Sequence, residues 1–190
     1  MARVKKPQPT LETVFFSTPE QKVVRFLLLE PTTTFTSRVI SSKLKGLRGV
    51  GGPEGIDLIL KDLSIAGLIE YVDNGRAVRL REECCGVKVL QKFSALCDLE
   101  SLKSVLEPVS TRGILHGARA KGEVTSDSAY ELVVVSELPV EVKKLTSRHP
   151  LAKRLEMMTV TPDDFLSLDR KQPILAGKLA QGIVVWGPTW

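Results

Sequence analysis

Asparagine is nearly missing from this chain: Asn74 is the only one in 190 residues. Glutamine is also scarce, and such thermolabile amides are depleted in proteins of heat-loving organisms, so a thermophilic source is expected. Cysteines number three, too few and of the wrong parity for a disulfide framework. Cys84 and Cys85 are adjacent, Cys97 stands alone, and His116 and His149 are far apart. The paired ligands, two to four residues apart, on which structural zinc draws are therefore lacking. Free, buried thiols are expected instead. No apolar run approaches the roughly 20 residues that span a bilayer. The basic opening Met1-Ala2-Arg3-Val4-Lys5-Lys6 runs into Pro7 and Pro9 rather than an apolar core. No signal peptide is expected from it, and a cytoplasmic location is.

What remains is a globular composition, 43% hydrophobic and 26% charged. The length suits one large domain or two small ones. The net charge of +5 is unevenly placed. Residues 1–81 hold 13 Lys and Arg against 8 Asp and Glu, whereas residues 82–190 hold 14 of each. Any anionic polymer would meet the first part.

Residues 1–17 read as a polar, Pro-containing tail. Thr18-Pro19-Glu20-Gln21 is a helix start: a Thr cap, Pro in the first turn, and Gln three residues after the cap. Val23, Val24, Phe26, Leu27 and Leu28 supply its buried face, and Pro31 stops it. A second short helix is expected over 37–44, then a glycine-rich stretch over 46–52. Pro53 opens a third helix, with Ile56, Ile59, Leu60 and Leu63 at helical spacing, and Gly67 ends it. Two strand-like runs, 68–72 and 76–80, then flank Asp73-Asn74-Gly75, a strong hairpin signal because Asn and Gly accept positive φ. Residues 84–97 read as a connector with some strand character at Val87 and Val89. Leu99, Leu102, Val105 and Leu106 mark a further helix ending at Pro108.

Three helices followed by a β-ribbon, with the junction Leu63-Ser64-Ile65-Ala66-Gly67-Leu68-Ile69, resemble a winged helix-turn-helix domain over 18–83. Such domains bind duplex DNA, and the resemblance implies phosphate contacts from the ribbon residues Arg76, Arg79 and Arg81. Arg38, Lys43, Lys45 and Arg48 add basic charge to the same part, and Lys61 lies on the third helix. The other polar positions of that helix, Glu54, Asp57, Asp62 and Ser64, are acidic or neutral, although it would have to enter the major groove. Base reading relies mostly on Arg and Lys. Either the ribbon dominates DNA binding or the domain is a protein-interaction module.

The stretch from Gly113 to Val135 reads as an apolar strand, a glycine-bounded turn, a polar loop and a second apolar strand. It resembles the signature of the polymerase-beta-like nucleotidyltransferases, especially the minimal ones, over 110–135. Residues 161–165 and 182–187 fit that family more loosely. The resemblance implies an α/β domain over 98–190 with a small mixed sheet, so the whole chain falls in the α/β (α+β) class.

In that family two divalent cations sit against a triphosphate, one activating the attacking oxygen and one steadying the leaving group. Magnesium takes hard oxygen ligands, and two carboxylates at i and i+2 on a strand share a face. Backbone N–H groups and a hydroxyl in the turn meet the phosphates. This sequence departs from the pattern twice. Ala129 falls at the first metal carboxylate, with Glu131 at the second, and Ala118 replaces the turn serine. Glu156 stands at a position compatible with a third carboxylate, so Glu131 and Glu156 are the remaining ligands for one weakly held Mg2+. Asp127 shares the face of residue 129 but lies about 7 Å further along a regular strand. It reaches the site only if a bulge swings it in.

The nucleotide-binding candidates are Gly117, Ala118, Arg119, Lys121 and Gly122, with a nucleoside triphosphate as the implied ligand. His116 is expected to be a satisfied core histidine, His149 a loop residue, and Met157 and Met158 core filler. The favoured function is a DNA-binding, regulator-like protein with a catalytically degenerate second domain. The resemblance also implies a helical protein partner, and winged helices often form homodimers. The alternatives are an active transferase using Glu131, Glu156 and Asp127 on a protein or nucleic acid, and an interaction scaffold.

Overall fold

The computed structural model describes residues 9–44 and 52–189. Lys45 and Arg48, two of the expected DNA contacts, lie outside them. Thr10 caps a short helix α1 (Leu11–Phe15) with its own hydroxyl. Residues 10–16 of the expected tail therefore pack against the fold. The Leu11 N–H donates to the Glu100 carboxylate at 2.8 Å, Phe16 is buried, and the Phe15 ring meets Phe93 edge-on at 5.0 Å. Two adjacent phenylalanines outweighed the polar composition around them.

Helix α2 (Pro19–Leu29) starts as its sequence demands. The Gln21 side chain accepts from the Thr18 N–H at 3.1 Å while the Thr18 hydroxyl accepts from the Gln21 N–H at 3.3 Å. It buries Val23, Leu27 and Leu28, together with a charge, Arg25. Helix α3 (Ser37–Lys43) turns Ile40 inward, and α4 (Pro53–Ile65) buries Ile56, Ile59, Leu60 and Leu63. Gly67, at φ +75, closes α4: the Leu68 N–H reaches the Leu63 carbonyl and the Gly67 N–H reaches that of Ser64, each at 3.0 Å.

Strands β1 (Ile69–Val72) and β2 (Ala77–Leu80) pair antiparallel from Val72↔Ala77 to Ile69↔Leu80. Asp73, Asn74 and Gly75 all take positive φ in the turn between them. Phe35 extends the ribbon, exchanging two 2.9 Å backbone bonds with Val78. Leu27, Ile40, Ile56, Leu60, Ile69 and Val78 meet in one core beneath these elements.

Residues 84–97 are not a strand-like connector. They form the first part of a 22-residue helix, α5 (Cys85–Leu106). Val87, Gln91, Ser94, Ala95, Leu99, Leu102 and Leu106 share its buried stripe, and this 3.6-residue period overrides the strand preference of Val87 and Val89. Val87 and Cys97 join the first core, whereas Ala95, Leu99, Leu102 and Leu106 join a second. One helix thus walls both.

The second part folds as β3 (Arg112–His116), α6 (Gly117–Lys121), β4 (Tyr130–Val135), α7 (Pro139–Ser147), β5 (Leu155–Val160), α8 (Pro162–Leu166), α9 (Leu168–Lys171), α10 (Pro173–Ala180) and β6 (Ile183–Trp186). The strand order is β5-β4-β3-β6, with β4–β5 parallel and the other pairs antiparallel, a small mixed sheet as expected. Residues alternate across β4. Tyr130, Leu132 and Val134 pack with Leu99, Leu102 and Leu106 of α5 and Val142 of α7, while Val133 packs with Leu168 and Leu179 on the other face. Met157 packs against the second core, but Met158 is exposed. No helix among the described residues is long and apolar enough to cross a membrane.

Candidate functional site

Strand pairing alone assembles the candidate site. His116, the last residue of β3, stands opposite Glu131 on β4, and Glu131 stands opposite Glu156 on β5. Three ionisable residues therefore form one row across three neighbouring strands. Immediately after His116 the chain turns at Gly117, at φ +71. A β-carbon built there would stand 1.8 Å from Glu131 Oε1, so the carboxylate lies directly on the glycine backbone. Only glycine satisfies both the backbone angle and this contact.

The His116 imidazole is buried, with Nδ1 3.5 Å from Glu131 Oε2 and no hydrogen-bond partner. It is a core histidine, as the sequence suggested, but it is not a satisfied one. Burial holds it below the ordinary imidazole range; Glu131 opposes that shift, Lys178 of α10 adds to it, and Glu156 opposes it.

The turn expected to hold phosphate has one basic residue turned inward and one outward. Arg119 points inward and is buried, donating from Nε and a terminal nitrogen to the Ser128 carbonyl at 3.1 and 2.8 Å. Its guanidinium lies 3.9 Å from the centre of the Tyr130 ring. A side chain held in this way fastens the 122–129 loop to the fold instead of reaching outward. Lys121 is exposed at the end of α6, Gly117 and Ala118 are half-buried, and Gly122 takes the left-handed conformation that ends the helix.

Asp127 does not reach the row. It lies in an exposed turn closed by the Ser128 N–H on the Thr125 carbonyl at 3.2 Å. The ladders of β4 run in unbroken register from Glu131 against β3 and from Tyr130 against β5, so no bulge in either carries Asp127 in. Ala129 precedes the strand with a methyl group where an ion would need an oxygen. Among the described residues no three His, Cys, Asp or Glu side chains are grouped to hold a metal ion. A magnesium pair with a triphosphate does not fit this arrangement.

In the first part, Arg38, Lys43, Lys61, Arg76, Arg79 and Arg81 are all exposed. Arg79 already faces Glu70 across the ribbon, its Nε 2.6 Å from the carboxylate. The outer face of α4 carries Glu54, Asp57, Lys61 and Asp62, and also two exposed apolar side chains, Leu58 and Ile65. Asp57 is close enough to Tyr71 of β1 to add to the effect of burial in raising the phenol.

Sequence reasoning missed a buried polar cluster that links the two parts of the fold. Arg25 of α2, Asp98 and Ser94 of α5, and Tyr130 of β4 are joined by hydrogen bonds, with Glu12 of α1 on the near side. The available signal was a lone arginine inside the apolar run Val23–Leu29, on the face that must be buried. His149 is also more than a loop residue: its Nδ1 accepts from the Leu151 N–H at 3.2 Å, and its Nε2 lies 3.0 Å from the Ser101 hydroxyl. Of the three thiols only Cys97 is buried, and burial pushes it up to about 11; Cys84 is half-buried and Cys85 exposed. No protein-family model matches the sequence, and comparison with curated proteins found no significant match.

Proposed function

We propose that the chain is a DNA-binding, regulator-like protein whose second part keeps a nucleotidyltransferase-like arrangement without transferase activity. Two observations carry the second half of this reading: Ala129 stands just before β4, and Arg119 is turned inward onto the Ser128 carbonyl. Two-ion transfer needs oxygens where the methyl stands, and a phosphate needs donors that Arg119 spends on Ser128. Incubation of the full chain with labelled ATP or CTP and Mg2+, with itself and with nucleic acid as acceptors, yields no transferred label. Transfer that disappears in Glu131→Gln would establish an active enzyme instead.

The DNA-binding half rests on the winged-helix resemblance and on the exposed Arg76 and Arg81 of the ribbon, joined by Arg38 and Lys43 of α3. Phosphate contacts release counterions, so affinity for duplex DNA falls steeply with salt, by a slope of about 0.9 per contact on logarithmic axes. Arg76→Ala/Arg81→Ala lowers that slope by about two, whatever the DNA sequence. An unchanged slope, or affinity that ignores salt, removes the ribbon from the interface.

One observation favours a second reading, an interaction module. Leu58 and Ile65 stand seven residues apart on the outer face of α4, 62% and 86% exposed, among Glu54, Asp57 and Asp62. That face is poorly made for a major groove and better made for a protein.

A further inference from the structure

We infer that His116 and Glu131 together hold one divalent transition-metal ion between β3 and β4. Buried polar atoms in folded proteins are almost always paired. Among the described residues, His116 Nδ1 is the one buried side-chain nitrogen or oxygen without a hydrogen-bond partner. Its side chain is 11% exposed, and the atom lies 3.5 Å from Glu131 Oε2. That separation is long for an N–H···O bond, which runs about 2.7–3.2 Å. It suits two ligands of a single ion. Donors about 2.1 Å from a common centre and 3.5 Å apart subtend about 113°, close to the tetrahedral angle.

The two groups are also held ready. Strand register sets His116 opposite Glu131, and the carboxylate rests on Gly117, where any side chain would displace it. Glu131 is 29% exposed, so solvent reaches its side chain, whereas the His116 nitrogen is enclosed. Glu131 and Glu156 face the imidazole with two negative charges against the single positive charge of Lys178.

The donor set defines the class of ion. Imidazole with carboxylate suits Zn2+, Ni2+ or Cu2+, whereas Mg2+ takes oxygen ligands and keeps its water. The arrangement replaces the missing carboxylate at position 129 with an imidazole from the adjacent strand. The inference goes beyond the proposed function and does not need it: a chain that binds nickel but neither nucleotide nor DNA meets the one and fails the other.

Titration calorimetry of the full chain with Ni2+, carried out in Cys84→Ser/Cys85→Ser to remove the accessible vicinal thiols, tests it. One ion binds per chain, and excess Mg2+ does not compete. His116→Asn and, separately, Glu131→Gln each weaken binding by more than about tenfold, the loss that even an outer-shell partner produces. Glu131→Gln keeps the shape of a partly exposed side chain, so it reads out the site even if the buried His116 variant folds poorly. His149→Asn, the remaining imidazole, leaves binding unchanged. The added ion raises the melting temperature of the parent and not that of Glu131→Gln. No binding, binding that survives Glu131→Gln, or binding lost with His149 overturns the inference.

Discussion

Asp98→Ala destabilises the protein by about 3–5 kcal/mol, the loss that follows when one member of a buried ion pair is removed. Arg25 is 8% exposed, and its guanidinium reaches Asp98 Oδ1 at 2.5 Å and Glu12 Oε2 at 2.8 Å. The Tyr130 hydroxyl donates to the other Asp98 oxygen at 2.6 Å. Burial works to lower the Arg25 pKa, but Asp98 and then Glu12 more than offset it, so the group ends above its ordinary value. Tyr130 is also pushed upward, first by burial and then by Asp98.

Alanine at 98 therefore strands a charge and a hydroxyl together. Glu12 is 46% exposed and offers little compensation through water, so Glu12→Ala costs only about 0–1 kcal/mol. The combined change Arg25→Met/Ser94→Ala/Asp98→Leu/Tyr130→Phe removes the buried orphans together and loses less than Asp98→Ala alone. Urea unfolding of the four proteins checks the order. A loss below about 1 kcal/mol for Asp98→Ala would mean that this network does not hold the two cores together.

Gly122→Ala destabilises by about 2–5 kcal/mol, combining a left-handed backbone penalty with a steric clash. Gly122 stands at φ +73 at the end of α6, and a β-carbon there would lie 2.2 Å from the Lys88 carbonyl oxygen on α5. Backbone atoms inside a long helix cannot give way as a flexible side chain can. Gly75→Ala is the control. It has φ +82 in the ribbon turn with nothing within 4 Å of the added carbon, so it costs about 1 kcal/mol. Thermal or denaturant unfolding of both variants isolates the clash. Equal losses would show that α6 stands off from α5.

The short-range grammar of the chain was legible. Thr18 with Gln21, Pro53, Gly67 and Asn74-Gly75 each act through a rule that needs only a few neighbouring residues, and each element stands where these residues put it. The row of His116, Glu131 and Glu156 was half visible. The two glutamates follow from strand position, but the imidazole joins them only through the β3–β4 register, which no local pattern states. The inward turn of Arg119 was not legible because a loop arginine and a buried one look alike until the partner ring, Tyr130, is in place. Helix α5 was broken in the sequence reading because its stripe changes partners midway. The residues that face the first core and those that face the second read separately as two weaker patterns.

That shared helix has a mechanical consequence. At about 1.5 Å per residue, the 22 residues of Cys85–Leu106 make a strut about 33 Å long, with no joint along it. Neither half owns it: a cut before Cys85 would strip a wall from the first core, and a cut after Leu106 would strip one from the second. A push on one end is delivered to the other as a tilt of the whole rod.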